Sequence, residues 1–331
     1  MIIVRTPLRL SFAGGGSDLK AFYEKKDGIV ISSAIDKFVY VIVKERFDDM
    51  IYINYTEKER AENVSGIKHD LVREAMKITG VEKGIEITTL ADIPSEGSGL
   101  GSSSSITVGL LHALYTYQNV LVTAEQLAKE SCRIEIDILG KPIGRQDQYA
   151  AAFGGINKFI FHKGDIVERR PISLDYEDFM RFSSSLLLYY TGITRSADAI
   201  LSRQRKNFSN SEKFEVMCEM VALTKLFRRA LQEGDIETCG KLLDDNWRLK
   251  QKMASGITNG KITEMYEKAK RAGALGGKIA GAGGGGFLIL SVAKEMQNEI
   301  FKVMKDYRGL AFMLERSGSK VIFDERRYSS K

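Results

Sequence analysis

The chain of 331 residues contains few of the residues from which disulfide frameworks and zinc sites are built. Its three cysteines, Cys132, Cys218 and Cys239, are widely spaced and form no CxxC pair, which argues against a disulfide framework and favours a reducing, cytoplasmic location. Its three histidines are isolated from one another, so the ligand spacing of a zinc site is missing. These absences favour chemistry that needs neither thiols nor imidazoles.

Long apolar runs are also missing. No stretch approaches the ~20 apolar residues that a membrane span needs, and the N-terminus lacks the apolar core of a signal peptide, so no membrane partner is expected. The length leaves room for two domains. The net charge of +6 suits a small anionic substrate. A nucleic-acid partner would want a basic patch with interleaved aromatic residues, and it is not expected because the basic residues are mostly offset by nearby acids.

Hydrophobic periodicity and capping residues predict strands and helices along the whole chain. The predicted strands span residues 2–5, 9–13, 29–34, 38–44, 51–55, 85–90, 156–161, 166–170, 186–190, 287–292 and 310–314. The predicted helices span residues 18–24, 68–79, 106–117, 123–138, 196–207, 212–232, 236–253, 261–272 and 295–307. The strands of the first half are expected to form a mostly antiparallel sheet.

The most informative segment is PSEGSGLGSSSS at residues 94–105, between a predicted strand and an apolar predicted helix. Its three glycines at alternate positions let the backbone pass close to a ligand. The serines open a helix whose first amides have no intrahelical partner, and the positive end of the helix dipole lies at the same place. Free amides, hydroxyls and the dipole together form a phosphate cradle. A helix cap alone needs one serine, not four, so the segment predicts a nucleotide-binding loop.

Two common glycine-rich nucleotide motifs are excluded by their surroundings. A Walker A loop requires G-x-x-x-x-G-K-[ST], but Gly277 and Lys278 are followed by Ile279 and lack the earlier glycine. Residues 281–286 match G-x-G-x-x-G, yet they lead into a predicted strand, whereas a Rossmann fingerprint opens a helix. The H-R-D and D-F-G signatures of protein kinases are missing too.

Three segments instead resemble, in order and spacing, motifs 1, 2 and 3 of the GHMP kinases. They are PLRLSFAGGGSD at 7–18, PSEGSGLGSSS at 94–104 and KIAGAGGGGF at 278–287. The resemblance covers nearly the whole chain. It implies an α+β fold of two domains: residues 1–170 as an ATP-binding domain like ribosomal protein S5 domain 2, and residues 171–331 as a ferredoxin-like domain. ATP and substrate would meet in the cleft between the two domains.

The resemblance also implies roles for individual residues, with ATP and Mg²⁺ as cofactors. Ser103 and Glu135 would hold Mg²⁺, with Glu130 on the same helix as the rival carboxylate. Asp147 would act as general base or orient the attacking hydroxyl, and Arg9 would lie close to it and keep it ionised. Alternatively, Asp147 only caps a helix. The residues expected to bind the nucleotide are Gly97, Ser98, Gly99, Leu100, Gly101, Ser102, Ser103, Gly283 and Gly284.

The substrate is inferred from a departure within motif 1. Galactokinases have G-E-H-T-D there, and its Glu, His and Asp bind the sugar. The same register reads GGGSD at 14–18, so Asp18 is kept while Gly15 and Gly16 remove two polar contacts and open space. Together with DQYAAAFGG at 147–155, this variant resembles the branch of the family that phosphorylates the anomeric hydroxyl of sugars.

This branch implies D-glycero-D-manno-heptose 7-phosphate as substrate and the 1,7-bisphosphate as product. A phosphorylated sugar needs cations, and Arg145 and Arg195 are the candidates. The alternatives are an L-fucokinase-like kinase of an unphosphorylated sugar and a non-catalytic GHMP-fold binding protein. A homodimer is compatible with the sequence, which does not determine the oligomeric state.

Overall fold

The computed structural model describes residues 1–93, 97–194 and 197–325. Its first sheet is built on two long antiparallel strands, β1 (Ile2–Ala13) and β2 (Gly28–Glu45). The sequence predicted two shorter strands in place of each. The strands are continuous because a register shift next to Pro7 absorbs the residues between Ile35 and Phe38 as a bulge, which interrupts the ladder without ending the strand.

The rest of the first half completes this sheet and covers it with helices. The further strands are β3 (Ile51–Asn54), β4 (Lys58–Ala61), β5 (Ile85–Ala91), β6 (Ile156–His162) and β7 (Ile166–Pro171). The helices are α1 (Lys20–Tyr23), α2 (Asp70–Thr79), α3 (Ser102–Tyr117), α4 (Ala124–Cys132) and α5 (Gln146–Phe153). The pairing is antiparallel except between β3 and β5, as predicted. Helix α4 continues as a π-helical segment, Arg133–Ile138, where the sequence predicted one uniform helix.

The second half forms a smaller sheet packed with helices. Its elements are α6 (Tyr176–Ser184), β8 (Leu186–Tyr190), α7 (Ala197–Asn207), α8 (Ser211–Gln232), α9 (Ile236–Met253), α10 (Gly260–Arg271), β9 (Ala274–Ile279), β10 (Phe287–Val292), α11 (Gln297–Val303) and β11 (Gly309–Leu310). The strand order is β11-β8-β10-β9, with helices before β9 and before β11. This is the split βαβ arrangement of a ferredoxin-like fold, and it confirms the predicted α+β class.

The strand predicted at 310–314 is split, with Leu310 in β11 and Leu314 in a short strand that returns to the first sheet, and a further strand that the sequence did not predict returns there too. Strand β12 (Leu314–Glu315) pairs with β2, and β13 (Lys320–Asp324) pairs with β1. Strand β13 is largely exposed. Its sequence therefore lacks the alternating apolar pattern from which strands are predicted. The proposed boundary between residues 170 and 171 therefore stays a prediction, and the chain crosses back to the first sheet at its C-terminal end.

An apolar contact holds the two halves together. Phe12 of β1 stacks on Phe227 of α8 with ring centroids 5.6 Å apart, and Phe182 of α6 meets the edge of Phe12 at 5.3 Å. All three rings are fully buried. This packing fixes β1, which carries several cavity residues, against the second half. Among the described helices, none combines the length and the apolarity that a membrane crossing requires.

Candidate active site

A cavity of about 1020 Å³, including its open mouth, lies where the three glycine-rich motifs meet. Its lining comes from both halves of the chain: Arg9, Ser11, Gly15, Gly16, Asp18, Leu19, Gly97, Ser98, Gly99, Gly101, Ser102, Ser103, Ser104, Lys141, Ile143, Gly144, Gln146, Asp147, Ala197, Asp198, Leu201, Lys250, Gly281 and Ala282.

One wall of the cavity is the loop of residues 97–101 and the first turn of α3. Gly97, Gly99 and Gly101 have φ angles of 69°, 73° and 80°, in the left-handed region that favours glycine. Gly101 is the N-cap of α3, so the unpaired amides of the first helical turn begin here. The hydroxyl of Ser105 donates to the carbonyl of Pro7 at 2.8 Å and anchors the helix start to β1.

The loop after β9 packs directly against this wall. A Cβ on Gly281 would lie 2.7 Å from the Gly99 carbonyl oxygen, and one on Gly286 would lie 2.4 Å from that of Ser98. Both distances are shorter than real Cβ contacts allow. The two loops can therefore approach this closely only because positions 281 and 286 are glycines. The third motif therefore packs against the second and supports it.

Three residues predicted to contact the nucleotide lie outside the cavity lining. Leu100 is fully buried and its carbonyl accepts the backbone N–H of Arg9 at 2.9 Å. A Cβ on Gly283 would meet Ile257 at 2.9 Å, and the Gly284 N–H donates to the Ile257 carbonyl at 2.8 Å. Within this loop, Gly281 and Ala282 line the cavity, and nucleotide contacts of Leu100, Gly283 and Gly284 stay a prediction.

Arg9 and Asp147 form a bidentate ion pair on the cavity wall. Arg9 donates from Nε to Oδ1 at 2.7 Å and from Nη2 to Oδ2 at 2.6 Å, and its Nη1 donates to the Gly99 carbonyl at 2.6 Å. The Arg9 side chain is 5% exposed and that of Asp147 is 22% exposed. A fork geometry of this kind fixes the carboxylate in orientation as well as in charge. The sequence-based pairing of these two residues is therefore present in the structure.

Ser103 and Glu135 also meet, at the start of α3. The Ser103 hydroxyl donates to Glu135 Oε1 at 2.6 Å, and Gln148 Nε2 donates to Oε2 at 2.7 Å. Lys141, which the sequence analysis missed, donates to Ser103 Oγ at 3.2 Å and lies 3.8 Å from Glu135 Oε1. Burial raises the pKa of Glu135, and the nearby ammonium and hydroxyl groups oppose that shift.

The rival carboxylate lies elsewhere. Glu130 accepts hydrogen bonds from the Tyr115 hydroxyl at 2.8 Å and from Gln126 Nε2 at 3.0 Å, and it makes no contact with Ser103. Neither Glu130 nor the fully buried Glu135 is itself part of the cavity lining. The π-helical segment after α4 carries Glu135, and that carboxylate reaches the cavity wall through Ser103. The choice of Glu135 over Glu130 as the carboxylate near Ser103 therefore agrees with the geometry.

Asp18 holds the loop after β1 in place. Its Oδ1 accepts the Gly16 N–H at 2.9 Å and its Oδ2 accepts the Gln146 N–H at 3.2 Å. Burial, followed by the charge of Asp147, raises the pKa of Asp18. Gly15 and Gly16 line the cavity, but the space beside Gly16 is occupied, since a Cβ there would lie 2.2 Å from Gln204 Nε2. The expectation that Gly16 opens free space for a sugar is therefore wrong.

Two buried lysines of the second half complete the electrostatics of the site, and the sequence analysis assigned neither. Lys250 of α9 donates to the Gly15 carbonyl and to Gln204 Oε1, both at 3.1 Å. Lys278 of β9 donates to the Ser11 carbonyl at 2.9 Å. Burial lowers the pKa of Lys250 to about 8, and burial with the charges of Lys250 and Arg9 lowers the pKa of Lys278 to about 7.

The two arginines predicted to contact a substrate phosphate have different outcomes. Arg145 donates to the Tyr23 hydroxyl at 2.9 Å and pairs with Asp165 at 3.1 Å, and it is not in the cavity lining. We therefore correct its role to a structural one, because its donors are engaged away from the cavity. Arg195 lies outside the described residues.

The comparisons with known proteins agree with this arrangement. The family model described as "GHMP kinases N terminal domain" matches residues 65–155, and the one described as "GHMP kinases C terminal" matches residues 227–306. The chain is 29% identical to D-glycero-alpha-D-manno-heptose 7-phosphate kinase of Campylobacter jejuni, over 96% of this chain and 98% of that protein. It is 30% identical to mevalonate kinase of Thermococcus onnurineus, over 76% of this chain and 73% of that protein.

A solved structure shows the same overall fold. It is a D-glycero-D-manno-heptose 1-phosphate kinase from Bacteriodes thetaiotaomicron, with a TM-score of 0.81 and 25% identity, covering 98% of this chain and 100% of that chain.

Proposed function

The chain belongs to the GHMP kinase family, and we propose that it transfers the γ-phosphoryl group of ATP to the anomeric hydroxyl of a sugar. The observation that carries this proposal is the Arg9–Asp147 pair beside the glycine–serine loop in one cavity. Phosphoryl transfer depends mostly on positioning and on neutralising charge. The loop offers the phosphate cradle and Asp147 offers a fixed hydrogen-bond acceptor for the attacking hydroxyl, so donor and acceptor substrates would meet between them.

The residues around Ser103 fit a magnesium ion. Mg²⁺ prefers oxygen ligands, keeps several waters and is commonly held by one or two carboxylates together with substrate phosphates. The Ser103 hydroxyl and the Glu135 carboxylate supply such oxygens, although no group of three or more His, Cys, Asp or Glu side chains occurs in the described ranges. Bound there, the ion would neutralise charge on the phosphates. Lys141 adds a cation at the same place, suited to a phosphate oxygen.

The proposed role of Asp147 follows from its partner. The Arg9 guanidinium donates to both carboxylate oxygens of Asp147, which fixes the orientation of that carboxylate on the cavity wall. We infer that Asp147 mainly orients the attacking hydroxyl and stabilises positive charge as the proton leaves, and that Arg9 holds Asp147 in place. The proposed role of Asp18 is indirect: it accepts the backbone N–H groups of Gly16 and Gln146 and so positions the loop after β1 and the start of α5.

The proposed substrate is D-glycero-D-manno-heptose 7-phosphate. The extended similarity to the Campylobacter jejuni heptose 7-phosphate kinase supports this choice. Arg195 stays the sequence-based candidate for the distal phosphate. An L-fucokinase-like activity on an unphosphorylated sugar is the alternative.

The decisive experiment is an ADP-release screen. The wild-type enzyme with ATP and Mg²⁺ is tested on D-glycero-D-manno-heptose 7-phosphate, L-fucose, D-mannose, D-galactose and mevalonate. We expect turnover on the heptose phosphate and, by NMR, a product phosphorylated at C1. Comparable kcat/KM for free L-fucose or D-mannose would favour the fucokinase-like alternative, and turnover on mevalonate alone would overturn the sugar kinase.

A further inference from the structure

Two buried polar atoms in the cavity wall have no hydrogen-bond partner among the described residues. They are Oγ of Ser11 on β1 and Oε1 of Gln146 on α5. Ser11 is 2% exposed and Gln146 is 8% exposed, and both line the cavity. The amide nitrogen of Gln146 faces Asp18 Oδ1 at 3.4 Å, which leaves its carbonyl oxygen as the free acceptor. Because buried polar groups in folded proteins nearly always have partners, these two atoms of the cavity wall are available to a polar ligand.

A third polar group, the ammonium of Lys250, lines the same cavity. An ammonium group has three donors, and the Gly15 carbonyl and Gln204 Oε1 accept two of them. Lys250 is only 4% exposed, so its remaining donor faces protein or ligand and not bulk water. Gln204 belongs to α7, whose residues Ala197 and Leu201 also line the cavity.

The position of these groups separates them from the nucleotide end. Ser11 follows Arg9 by two residues on β1, and alternate residues of a strand share a face. Gln146 immediately precedes Asp147 in α5. The group therefore flanks the Arg9–Asp147 pair, whereas Lys141 and Ser103 mark the phosphate end of the cavity. A ligand that presents a hydroxyl to Asp147 would meet Ser11, Gln146 and Lys250 with its neighbouring atoms.

The chemistry of the three groups matches hydroxyls. Lys250 can only donate, the Gln146 carbonyl can only accept, and Ser11 can do either. A hydroxyl can satisfy each of them. A phosphate or carboxylate oxygen has no proton to donate to the Gln146 carbonyl, whereas a hydroxyl can donate to it and accept from Lys250.

We propose that Lys250, Gln146 and Ser11 form the acceptor subsite and hold the substrate of the proposed kinase through its non-reacting hydroxyl groups. This proposal rests on the proposed function in one respect, namely that the bound acceptor is a sugar. Lys250 makes the second half of the chain a direct contributor to acceptor specificity, through a residue of α9 that lies in none of the three motifs.

The test measures by calorimetry how tightly heptose 7-phosphate, and separately the unphosphorylated heptose, binds in the presence of a non-hydrolysable ATP analogue and Mg²⁺. The variants are Lys250→Met, Gln146→Leu and Ser11→Ala. Lys252→Met, an exposed lysine of the same helix, is the matched control. We expect a loss of acceptor affinity of about tenfold or more for Lys250→Met, the scale of a hydrogen bond to a charged group, and near wild-type affinity for the ATP analogue. If Lys250→Met does not fold, Gln146→Leu and Ser11→Ala carry the test, because they leave Lys250 in place.

Two outcomes would overturn the subsite. One is acceptor affinity at the wild-type level in folded variants. The other is a loss seen only with heptose 7-phosphate and not with the unphosphorylated heptose, since this would assign Lys250 to the phosphate. The proposed function fails separately: if the wild type accepts only mevalonate, the sugar kinase is overturned. The three variants are then measured with mevalonate, where weaker binding supports the subsite and unchanged binding overturns it.

Discussion

Arg9 and Asp147 lie 138 positions apart in the chain and share two hydrogen bonds of 2.7 and 2.6 Å in the cavity wall. The third contact of Arg9, with the Gly99 carbonyl, ties the same guanidinium to the glycine–serine loop. One arginine therefore sets the position of Asp147 relative to the proposed phosphate cradle. Phosphoryl transfer is sensitive to such positioning, because reacting groups must be aligned before the step occurs.

Asp147→Asn is expected to lower kcat by at least about 10²-fold while ATP affinity stays close to the wild type. The amide keeps the shape of the side chain but loses the negative charge that orients and stabilises the attacking hydroxyl. Steady-state kinetics and binding of an ATP analogue check this. A variant that keeps more than about half of the wild-type rate would remove Asp147 from the mechanism.

Ser103→Ala and Glu135→Gln are each expected to raise the Mg²⁺ concentration needed for the half-maximal rate. The two side chains are in direct contact at 2.6 Å, and each change removes an oxygen that fits the ion. Glu130→Gln is the matched control, because Glu130 contacts Tyr115 and Gln126 instead. An effect of Glu130→Gln without an effect of Glu135→Gln would show that the metal assignment is wrong.

Gly281→Ala is expected to destabilise the fold by about 1–3 kcal/mol, the cost of strained left-handed backbone in a non-glycine residue, and to weaken ATP binding. Gly281 has a φ of 70°, and its Cβ would lie 2.7 Å from the Gly99 carbonyl oxygen. Gly260→Ala is the control, because nothing lies within 4 Å of its Cβ position. Urea unfolding and nucleotide titration measure both effects, and equal stability of the two variants would argue against a tight loop contact.

The sequence was sufficient for the residues that the motifs carry. Arg9 and Ser103 lie on the cavity wall and belong to the first and second motifs, and Asp147, at the start of the DQYAAAFGG segment, lies on the same wall. Arg145 was misassigned because its neighbour Asp147 faces the cavity, whereas the arginine precedes the helix and turns to Tyr23 and Asp165.

The contributions of Lys250 and Lys141 could not be predicted in the same way. Helix α9 also carries Lys241 and Lys252, and only the tertiary packing against Gly15 and Gln204 shows that Lys250 is the buried one. Lys141 lies in a segment without regular structure after the π-helical turn. Both lysines act through contacts between elements distant in sequence, which local periodicity does not encode.

Lys278→Met is expected to change how stability depends on pH. In the folded protein the pKa of Lys278 is lowered to about 7, whereas in the unfolded chain it is about 10.4. Between these values the unfolded state binds more protons, so this lysine makes the free energy of unfolding rise with pH, by up to about 1.4 kcal/mol per pH unit. Below pH 7 both states are protonated, and the cost of burying the charge is present in full.

Urea unfolding of the wild type and of Lys278→Met from pH 6.5 to 10 therefore tests the burial of this charge. The free energy of unfolding of the variant minus that of the wild type is expected to be highest at the acid end of this range. This difference should fall as the pH rises, because the wild type gains stability and the variant does not. Lys252→Met, which removes an exposed lysine, should follow the wild-type curve. If the free energies of unfolding of the wild type and Lys278→Met depend on pH in the same way, the Lys278 ammonium is not desolvated. The burial of Lys278 against the Ser11 carbonyl would then be wrong.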